Sequence, residues 1–140
     1  MFNDDYSIDY KSTAKHFAFM ASTPGVAGIT FNGHAAEVHA LTVDEQRRLL
    51  ELAVETCAGK VGVIAGIYAD GSHEAARLAK MCAASGAQAL LILLPQTLML
   101  GGQLRPEMAL VHYKMIAEGS GGLPMILFNY PIGTGLGFTW

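Results

Sequence analysis

The sequence predicts an α/β protein in which parallel strands alternate with helices. Four apolar runs rich in Val, Ile and Leu are candidate strands, and they are Val26–Phe31, Val61–Ile67, Ala87–Leu94 and Met125–Tyr130. Each run is apolar nearly throughout rather than alternating, as in strands that are buried on both faces of a parallel sheet. Segments with helical periodicity separate the runs, and connections of that length join parallel strands by right-handed crossovers.

The first two predicted helices have clear start signals. Residues 10–21 form the first helix, ahead of the first strand, with Asp9 as its candidate N-cap. Residues 43–57 form the second helix, and Thr42 with Glu45 gives a capping-box pattern at its start. The apolar residues of this helix recur at helical spacing and predict one buried stripe, made of Leu50, Ala53, Val54 and Cys57.

The other two predicted helices follow the second and third runs. Residues 73–85 form the third helix, with Ser72 as its predicted cap. Its inward face is expected to comprise Ala75, Leu78, Ala79 and Cys82. The fourth helix covers roughly residues 106–118, with Pro106 in its first turn. Its inward face is expected to comprise Met108, Val111, Met115 and Ile116.

Two architectures fit this order of elements, an open doubly wound sheet and consecutive units of a (β/α)8 barrel. In both, functional residues lie at the carboxyl ends of the strands. Those ends are residues 32–34, 68–70, 95–97 and 129–131. No linker or low-complexity tract divides the 140 residues, so a single domain is predicted.

Composition excludes several classes of function. The chain is 51% hydrophobic and 15% charged, which excludes disorder, and its net charge of −3 without a basic patch argues against nucleic acid as a partner. No apolar stretch approaches the roughly 20 residues that span a membrane, and the acidic N-terminus is unlike a signal peptide. Cys57 and Cys82 are expected to be small buried hydrophobes, so a reduced, cytoplasmic protein is predicted.

The turn after the first strand, FNGHAAEVHAL at residues 31–41, carries the main candidate site. His34, Glu37 and His39 suggest metal ligation, but zinc proteases space two histidines at i, i+4 on a helix, and here the spacing is five. An anion pocket fits better, since Gly33 permits close backbone approach and the N–H groups of residues 33–35 can share one cavity. A polar loop without a ligand stays open as a third interpretation.

No cofactor is predicted. The glycines of residues 133–137 follow a strand, but their spacing departs from the dinucleotide-binding pattern G-x-G-x-x-G. The sequence also contains no Walker A motif. Neither metal nor nucleotide therefore enters the predicted site.

Three segments resemble one known family. The pattern G-x-x-x-E-x-x-x-L-T-x-x-E-x-R-x-x-L runs from Gly33 to Leu50, and it is similar to the signature of the dihydrodipicolinate synthase/N-acetylneuraminate lyase family. The segment VIAGIYADGSHEAARLAKMCAASGAQALLILLP, residues 63–95, resembles that family's third and fourth βα units. The segments HYKMIAE and LPMILFNYPIGTG, residues 112–118 and 123–135, resemble its fourth helix and fifth strand.

The resemblance implies a partial (β/α)8 TIM barrel, with parallel strands 2–5 and their flanking helices. Residues 1–140 are then one partial domain, half of a barrel, from which strand 1 and strands 6–8 are absent. The family acts as class I aldolases on pyruvate or a related 2-oxo acid, through a Schiff base to a lysine on strand 6. None of the five lysines, which are Lys11, Lys15, Lys60, Lys80 and Lys114, falls in a strand run.

The resemblance also assigns site residues. Gly33, His34 and Ala35 match the turn that holds the pyruvate carboxylate, which leaves His39 as an incidental loop residue. Phe128 occupies the position of the family's proton-shuttling tyrosine, and Phe128 cannot transfer a proton. Tyr130, two residues further on the same strand face, is a candidate replacement, with a packed aromatic as the other interpretation.

The departures from the family pattern shape the predicted function. The family turn G-T-T-G-E has lost both hydroxyls in residues 33–37, and Gly133 replaces an arginine that the synthase uses. The sequence therefore favours a lyase or hydratase of the family over the synthase itself. As a half-barrel with an uncovered apolar face, the chain is also expected to self-associate. The alternative to the lyase function is a non-catalytic half-barrel that works by pairing with itself or with a complementary chain.

Overall fold

The computed structural model of the chain describes residues 1–99 and 105–129. Its helices are α1 Tyr10–Ser22, α2 Val43–Cys57, α3 Ser72–Ala84 and α4 Pro106–Ser120. Its strands are β1 Gly28–Phe31, β2 Gly62–Ile67, β3 Ala89–Leu93 and β4 Met125–Phe128. Helix and strand alternate along the chain, as the sequence predicts.

The four strands form one sheet in sequence order, β1-β2-β3-β4, and every pairing is parallel. Each strand lies within the run that predicts it and is shorter, except at the shared ends Phe31, Ile67 and Met125. The register places Thr30 beside Ile64, and Leu93 beside Phe128. The prediction of parallel strands joined by helical crossovers is confirmed.

The main core lies between the sheet and the helices. Alternate residues of the central strands face the helices and are fully buried there, among them Ala65, Leu90 and Ile92, each 0% exposed. The predicted stripe of α2 is confirmed for Leu50, Ala53 and Cys57, and Val54 is half-buried. All four predicted inward residues of α3 are buried, including Cys82. Within residues 1–99 and 105–129, no helix combines the length and apolar character that crossing a bilayer requires.

Two of the predicted helix starts are confirmed. The Asp9 carboxylate accepts a hydrogen bond from the Ser12 N–H at 2.9 Å. Thr42 and Glu45 form the full capping box, in which the Thr42 N–H donates to Glu45 Oε2 at 2.8 Å and the Glu45 N–H donates to Thr42 Oγ1 at 3.3 Å. Both helices therefore begin where the sequence places them.

The predictions for the N-cap of α3 and the inward face of α4 were wrong in part. Gly71 occupies the N-cap of α3, and the Ser72 hydroxyl instead forms a hydrogen bond with His112 Nδ1 at 3.0 Å. Of the residues expected to face inward on α4, Ile116 is buried, but Met108 and Val111 are 48% and 56% exposed. The buried residues of α4 are Ala109, His112, Ile116 and Ser120. An apolar pattern could not find this face, because half of its members are polar.

The burial of His112 predicts a pH dependence of stability. His112 is 3% exposed, and burial lowers the pKa of its imidazole from the ordinary 6.5. The unfolded chain takes up this proton near pH 6.5 and the folded chain only at lower pH, so the free energy of unfolding should fall as the pH drops below 6.5. Urea unfolding at several pH values between about 7.5 and 5.5 measures how steeply the free energy of unfolding changes with pH. This interval spans the ordinary titration range of histidine.

Two variants separate His112 from other titrating groups. His112→Gln removes the ionisation and should flatten the profile, while His73→Gln, at an exposed position of the neighbouring helix, should leave the profile unchanged. Equal slopes in the wild type and in His112→Gln would contradict the assignment.

Candidate functional site

The carboxyl end of β1 leads into a loop built from two short 3-10 turns. The first turn covers His34–Ala36 and the second covers Val38–Ala40. Glu37 joins them in the left-handed region, with φ of 55°. Val38 is 1% exposed and anchors the loop, while His34 and Ala35 stand exposed above the sheet. The residues predicted for an anion pocket therefore lie on the rim formed by the strand ends.

The loop crosses directly over β2 at Gly66. A Cβ on Gly66 would overlap the carbonyl group of Asn32 and would lie 2.9 Å from the Cα of Gly33. Only glycine permits this approach, because the obstructing atoms belong to the backbone. Asn32 itself is 4% exposed and has a φ of 54°, a conformation that asparagine tolerates better than most residues. The crossing sets where the N–H groups of the loop lie.

Three consecutive N–H groups of this loop are available to a ligand. The turns use the N–H groups of Ala36 and Glu37, which donate to the carbonyls of Gly33 and His34. In the part of the chain that the structure describes, no hydrogen bond engages the N–H groups of residues 33–35. Successive free N–H groups at a turn form an anion-binding concavity.

A cavity of about 510 Å³ borders the residues that carry these N–H groups. Gly33, His34 and Ala35 line it at the rim, and Phe128 lines it from β4. The structure thus brings together the three predicted carboxylate-binding residues and the residue at the family's tyrosine position. Tyr130 and Gly133 lie outside the described residues.

The cavity also borders β1. Its lining includes the consecutive residues 29–32, whose side chains point alternately to the two faces of the sheet. Leu91 of β3 and Phe128 of β4 line it as well. Phe17 and Met20 of α1 add an apolar wall on the helical side. The cavity can therefore take a ligand with a carboxylate at the rim and apolar groups below it.

The residues of the H-x-x-E-x-H pattern do not converge on a point. The ring centroids of His34 and His39 are 5.7 Å apart, and the ring of Tyr68 lies 6.3 Å beyond that of His39. Across residues 1–99 and 105–129, no group of three or more His, Cys, Asp and Glu side chains is arranged to hold a metal. His39 therefore has an aromatic neighbour on each of two sequence segments, His34 in its own loop and Tyr68 after β2.

Hydrogen bonds also link the ends of β2 and β3. The Gln96 N–H donates to the Asp70 carboxylate at 2.8 Å, and the Thr97 hydroxyl donates to the Asp70 carbonyl at 3.2 Å. Two neighbouring strand ends are thereby tied together, which gives the rim a second fixed point beside the crossing at Gly66.

Sequence reasoning missed two residues that shape the site, Asn32 and Gln46. The Asn32 side chain donates to the Gln46 carbonyl at 2.8 Å, and the Gln46 side chain donates to the carbonyls of two loop residues. A signal for Gln46 existed, because it continues the buried stripe of α2 one turn before Leu50 as a polar residue. A buried polar side chain in such a stripe must find a hydrogen-bond partner.

The five lysines all lie away from the cavity. Each is exposed, and none belongs to a strand: four are helical and Lys60 lies in the turn before β2. A Schiff-base lysine works from within a pocket, and none of the five lysines lines this cavity. The cavity lining therefore includes the predicted anion-binding turn and no lysine.

Comparison with known proteins places this chain in a family. The family model described as "Dihydrodipicolinate synthetase family" matches residues 1–139. The 4-hydroxy-tetrahydrodipicolinate synthase of Bartonella henselae is 33% identical over 132 residues, which are 93% of this chain and 42% of the relative. The chain thus spans less than half the length of that curated relative.

Solved structures agree with the sequence match. Dihydrodipicolinate synthase from Aquifex aeolicus superposes with a TM-score of 0.82 at 26% identity, over 99% of this chain and 45% of that protein. YagE, an Escherichia coli K12 prophage protein solved in complex with pyruvate, superposes with a TM-score of 0.77 at 22% identity, over 96% and 43%. The likeness to YagE concerns the fold alone. The four parallel strands and their helices form part of a (β/α)8 barrel, and the chain belongs to the dihydrodipicolinate synthetase family.

Proposed function

We propose that the rim at Gly33, His34 and Ala35 binds the carboxylate of a small 2-oxo acid such as pyruvate. The chain then carries the substrate-binding rim of a lyase of the dihydrodipicolinate synthase/N-acetylneuraminate lyase family. The Schiff-base lysine of such a lyase is absent from this chain. The observation that carries the proposal is the set of three consecutive N–H groups, of residues 33–35, that no residue in the described part of the chain engages.

The chemistry of the site supports an anion of this kind. Three backbone donors in one concavity stabilise a carboxylate without a positively charged side chain. The apolar wall below the rim suits the methyl end of pyruvate, and YagE, which shares the fold, was solved with that ligand. In this proposal Tyr130 serves as the proton shuttle in place of Phe128.

A pair of substitutions at one position tests the backbone donors. His34 is the first residue of its turn and follows Gly33 in an extended conformation, with ψ of 178°, which suits a residue before proline. His34→Pro removes the N–H group and the side chain together, whereas His34→Ala removes only the side chain. We expect His34→Pro to weaken pyruvate binding roughly 10- to 150-fold relative to His34→Ala, since a hydrogen bond to a charged group contributes roughly 1.5–3 kcal/mol.

Calorimetric titration of both variants and the wild type with pyruvate measures this difference. Methyl pyruvate, which has no carboxylate, is the ligand control and should bind weakly to all three proteins. Equal affinity of His34→Pro and His34→Ala for pyruvate would refute the role of the backbone donors. Absence of pyruvate binding in the wild type would refute the proposed function itself.

A second candidate function is that of a non-catalytic half-barrel that acts by pairing with another chain. Ile126 and Leu127 are successive residues of β4 on opposite faces, and each is 46% exposed. In the described part of the chain, β1 and β4 each pair with one strand only. Exposed strand edges and apolar faces are templates for pairing with a further chain.

Sedimentation velocity at micromolar concentration distinguishes the two candidates. Burying about 800 Å² of apolar surface per subunit gains on the order of 20 kcal/mol gross, against an association cost of roughly 4–15 kcal/mol, so we expect self-association. A self-paired dimer without lyase turnover supports the second candidate. Turnover after mixing with a complementary chain that bears a lysine supports the first. A monomer that binds no hydrophobic dye contradicts self-association.

A further inference from the structure

Two buried amide side chains fasten the rim loop, residues 33–41, to helix α2. Asn32, which is 4% exposed, donates from Nδ2 to the Gln46 carbonyl at 2.8 Å. Gln46, which is 8% exposed, donates from Nε2 to the Leu41 carbonyl at 3.1 Å and to the Val38 carbonyl at 3.4 Å. We name Asn32 and Gln46 the rim clasp. Through it, a single residue of α2 holds the loop at its start and near its end.

The backbone of the loop needs such support. Asn32 and Glu37 both have left-handed backbone conformations, with φ of 54° and 55°. For residues other than glycine this conformation costs roughly 1–2 kcal/mol, and it persists only where surrounding contacts enforce it. The rim clasp acts directly on Asn32, whose side chain donates to the Gln46 carbonyl. It also acts on Val38, the residue after Glu37, because the Gln46 side chain donates to the Val38 carbonyl.

The rim clasp lies next to the free N–H groups. Gly33 follows Asn32 directly, and the Asn32 carbonyl rests over Gly66, where any Cβ would obstruct it. The hydrogen bond from the Asn32 side chain to the Gln46 carbonyl therefore fixes the direction in which the chain leaves β1. Along the chain, residues 33–35 lie between Asn32 and the second 3-10 turn, Val38–Ala40. The Gln46 side chain donates a hydrogen bond to that turn at the Val38 carbonyl.

We propose that Asn32 and Gln46 are positioning residues for the anion site, which hold residues 33–41 so that the three free N–H groups converge. This inference rests on the proposed function, since it assigns to that site the side chains that shape it. Neither side chain needs to touch the ligand. Their effect on binding passes through the loop backbone.

Three variants test the proposal. Gln46→Met keeps the length of the side chain and removes the donor, and Asn32→Gly keeps access to the left-handed conformation and removes Nδ2. Gln88→Met is the control, because Gln88 also bonds to the backbone through its side-chain amide, with Oε1 accepting from the Val63 N–H at 3.0 Å, but at the opposite ends of the strands. Amide hydrogen exchange and pyruvate titration are measured on all three variants and on the wild type.

We expect exchange of the hydrogen-bonded loop amides, those of Ala36, Glu37, Ala40 and Leu41, to rise at least tenfold in both clasp variants, and the Kd for pyruvate to rise about tenfold. Gln88→Met should change neither quantity, even where its global stability falls as much as that of Gln46→Met. Loop exchange at the wild-type rate in both clasp variants would overturn the inference, and so would faster exchange with an unchanged Kd. If the wild type binds no pyruvate, the proposed function fails, and loop exchange alone decides whether the clasp holds the loop.

Discussion

Replacement of Gly66 by alanine should lower the free energy of unfolding by about 3 kcal/mol, the upper part of the usual range for overpacking. An alanine Cβ would overlap the Asn32 carbonyl group, and it would also lie 2.9 Å from the Cα of Gly33. These are backbone atoms, so no side-chain rotation relieves the overlap. The rim loop must lift away from β2 or the strand must shift. Urea unfolding measures the loss, and pyruvate binding should be lost with it.

Gly62→Ala is the matched control, since Gly62 and Gly66 lie four residues apart on the same face of β2. A Cβ on Gly62 would find its nearest neighbour, the Ala27 carbonyl oxygen, at 3.6 Å, which is an ordinary contact. The free energy of unfolding should stay within about 1 kcal/mol of wild type, with a gain expected from the stiffer unfolded chain. Equal losses in the two variants would contradict the crossing of the loop over Gly66.

The second large effect is expected at Gly119, where α4 packs against α3. A Cβ on Gly119 would overlap the carbonyl oxygen of Ala76, so the helix axes could not stay at their present distance. Helix propensity alone predicts that Gly119→Ala stabilises the protein by about 1 kcal/mol. The packing predicts the opposite sign, a net loss of about 2 kcal/mol after overpacking is counted.

Whether Gly119→Ala raises or lowers the free energy of unfolding therefore shows whether helix propensity or the packing of α4 on α3 has the larger effect at this position. Glu118→Ala serves as the control, because its side chain is 66% exposed next to Gly119 and should alter the free energy of unfolding by less than about 0.5 kcal/mol. Thermal or urea unfolding of both variants is sufficient. A stabilised Gly119→Ala would show that α3 and α4 do not approach each other as closely as described.

The parallel sheet was predictable because its signals are local and repeat. Four nearly continuous apolar runs and the helical stripes between them gave the order of elements, and the capping box placed the start of α2 at Val43. The face of α4 was less accessible, because His112 is buried by its contact with Ser72, forty residues earlier in the chain. Pairings between distant polar side chains leave no periodic signal in a sequence.

The location of the candidate site was predictable from the sequence, but the contacts that support its loop were not. Residues 33–35 stood out since a glycine follows a buried strand, and the structure lines a cavity with them. The support of the loop was not foreseen, because it depends on the missing Cβ of Gly66 and on the amide of Gln46. Both act on atoms that only the fold brings close. The polar residue Gln46 in the buried stripe of α2 signalled a need for a hydrogen-bond partner, but not which atoms that partner would be.

A crystal structure of the chain grown with pyruvate tests the central claim most directly, namely that a parallel, partial-barrel sheet presents a carboxylate site at its rim. We predict four parallel strands in the order β1-β2-β3-β4, with the pyruvate carboxylate within hydrogen-bond distance, about 2.7–3.2 Å, of the N–H groups of residues 33–35. An antiparallel pair among those strands, or pyruvate bound only elsewhere on the molecule, would contradict it.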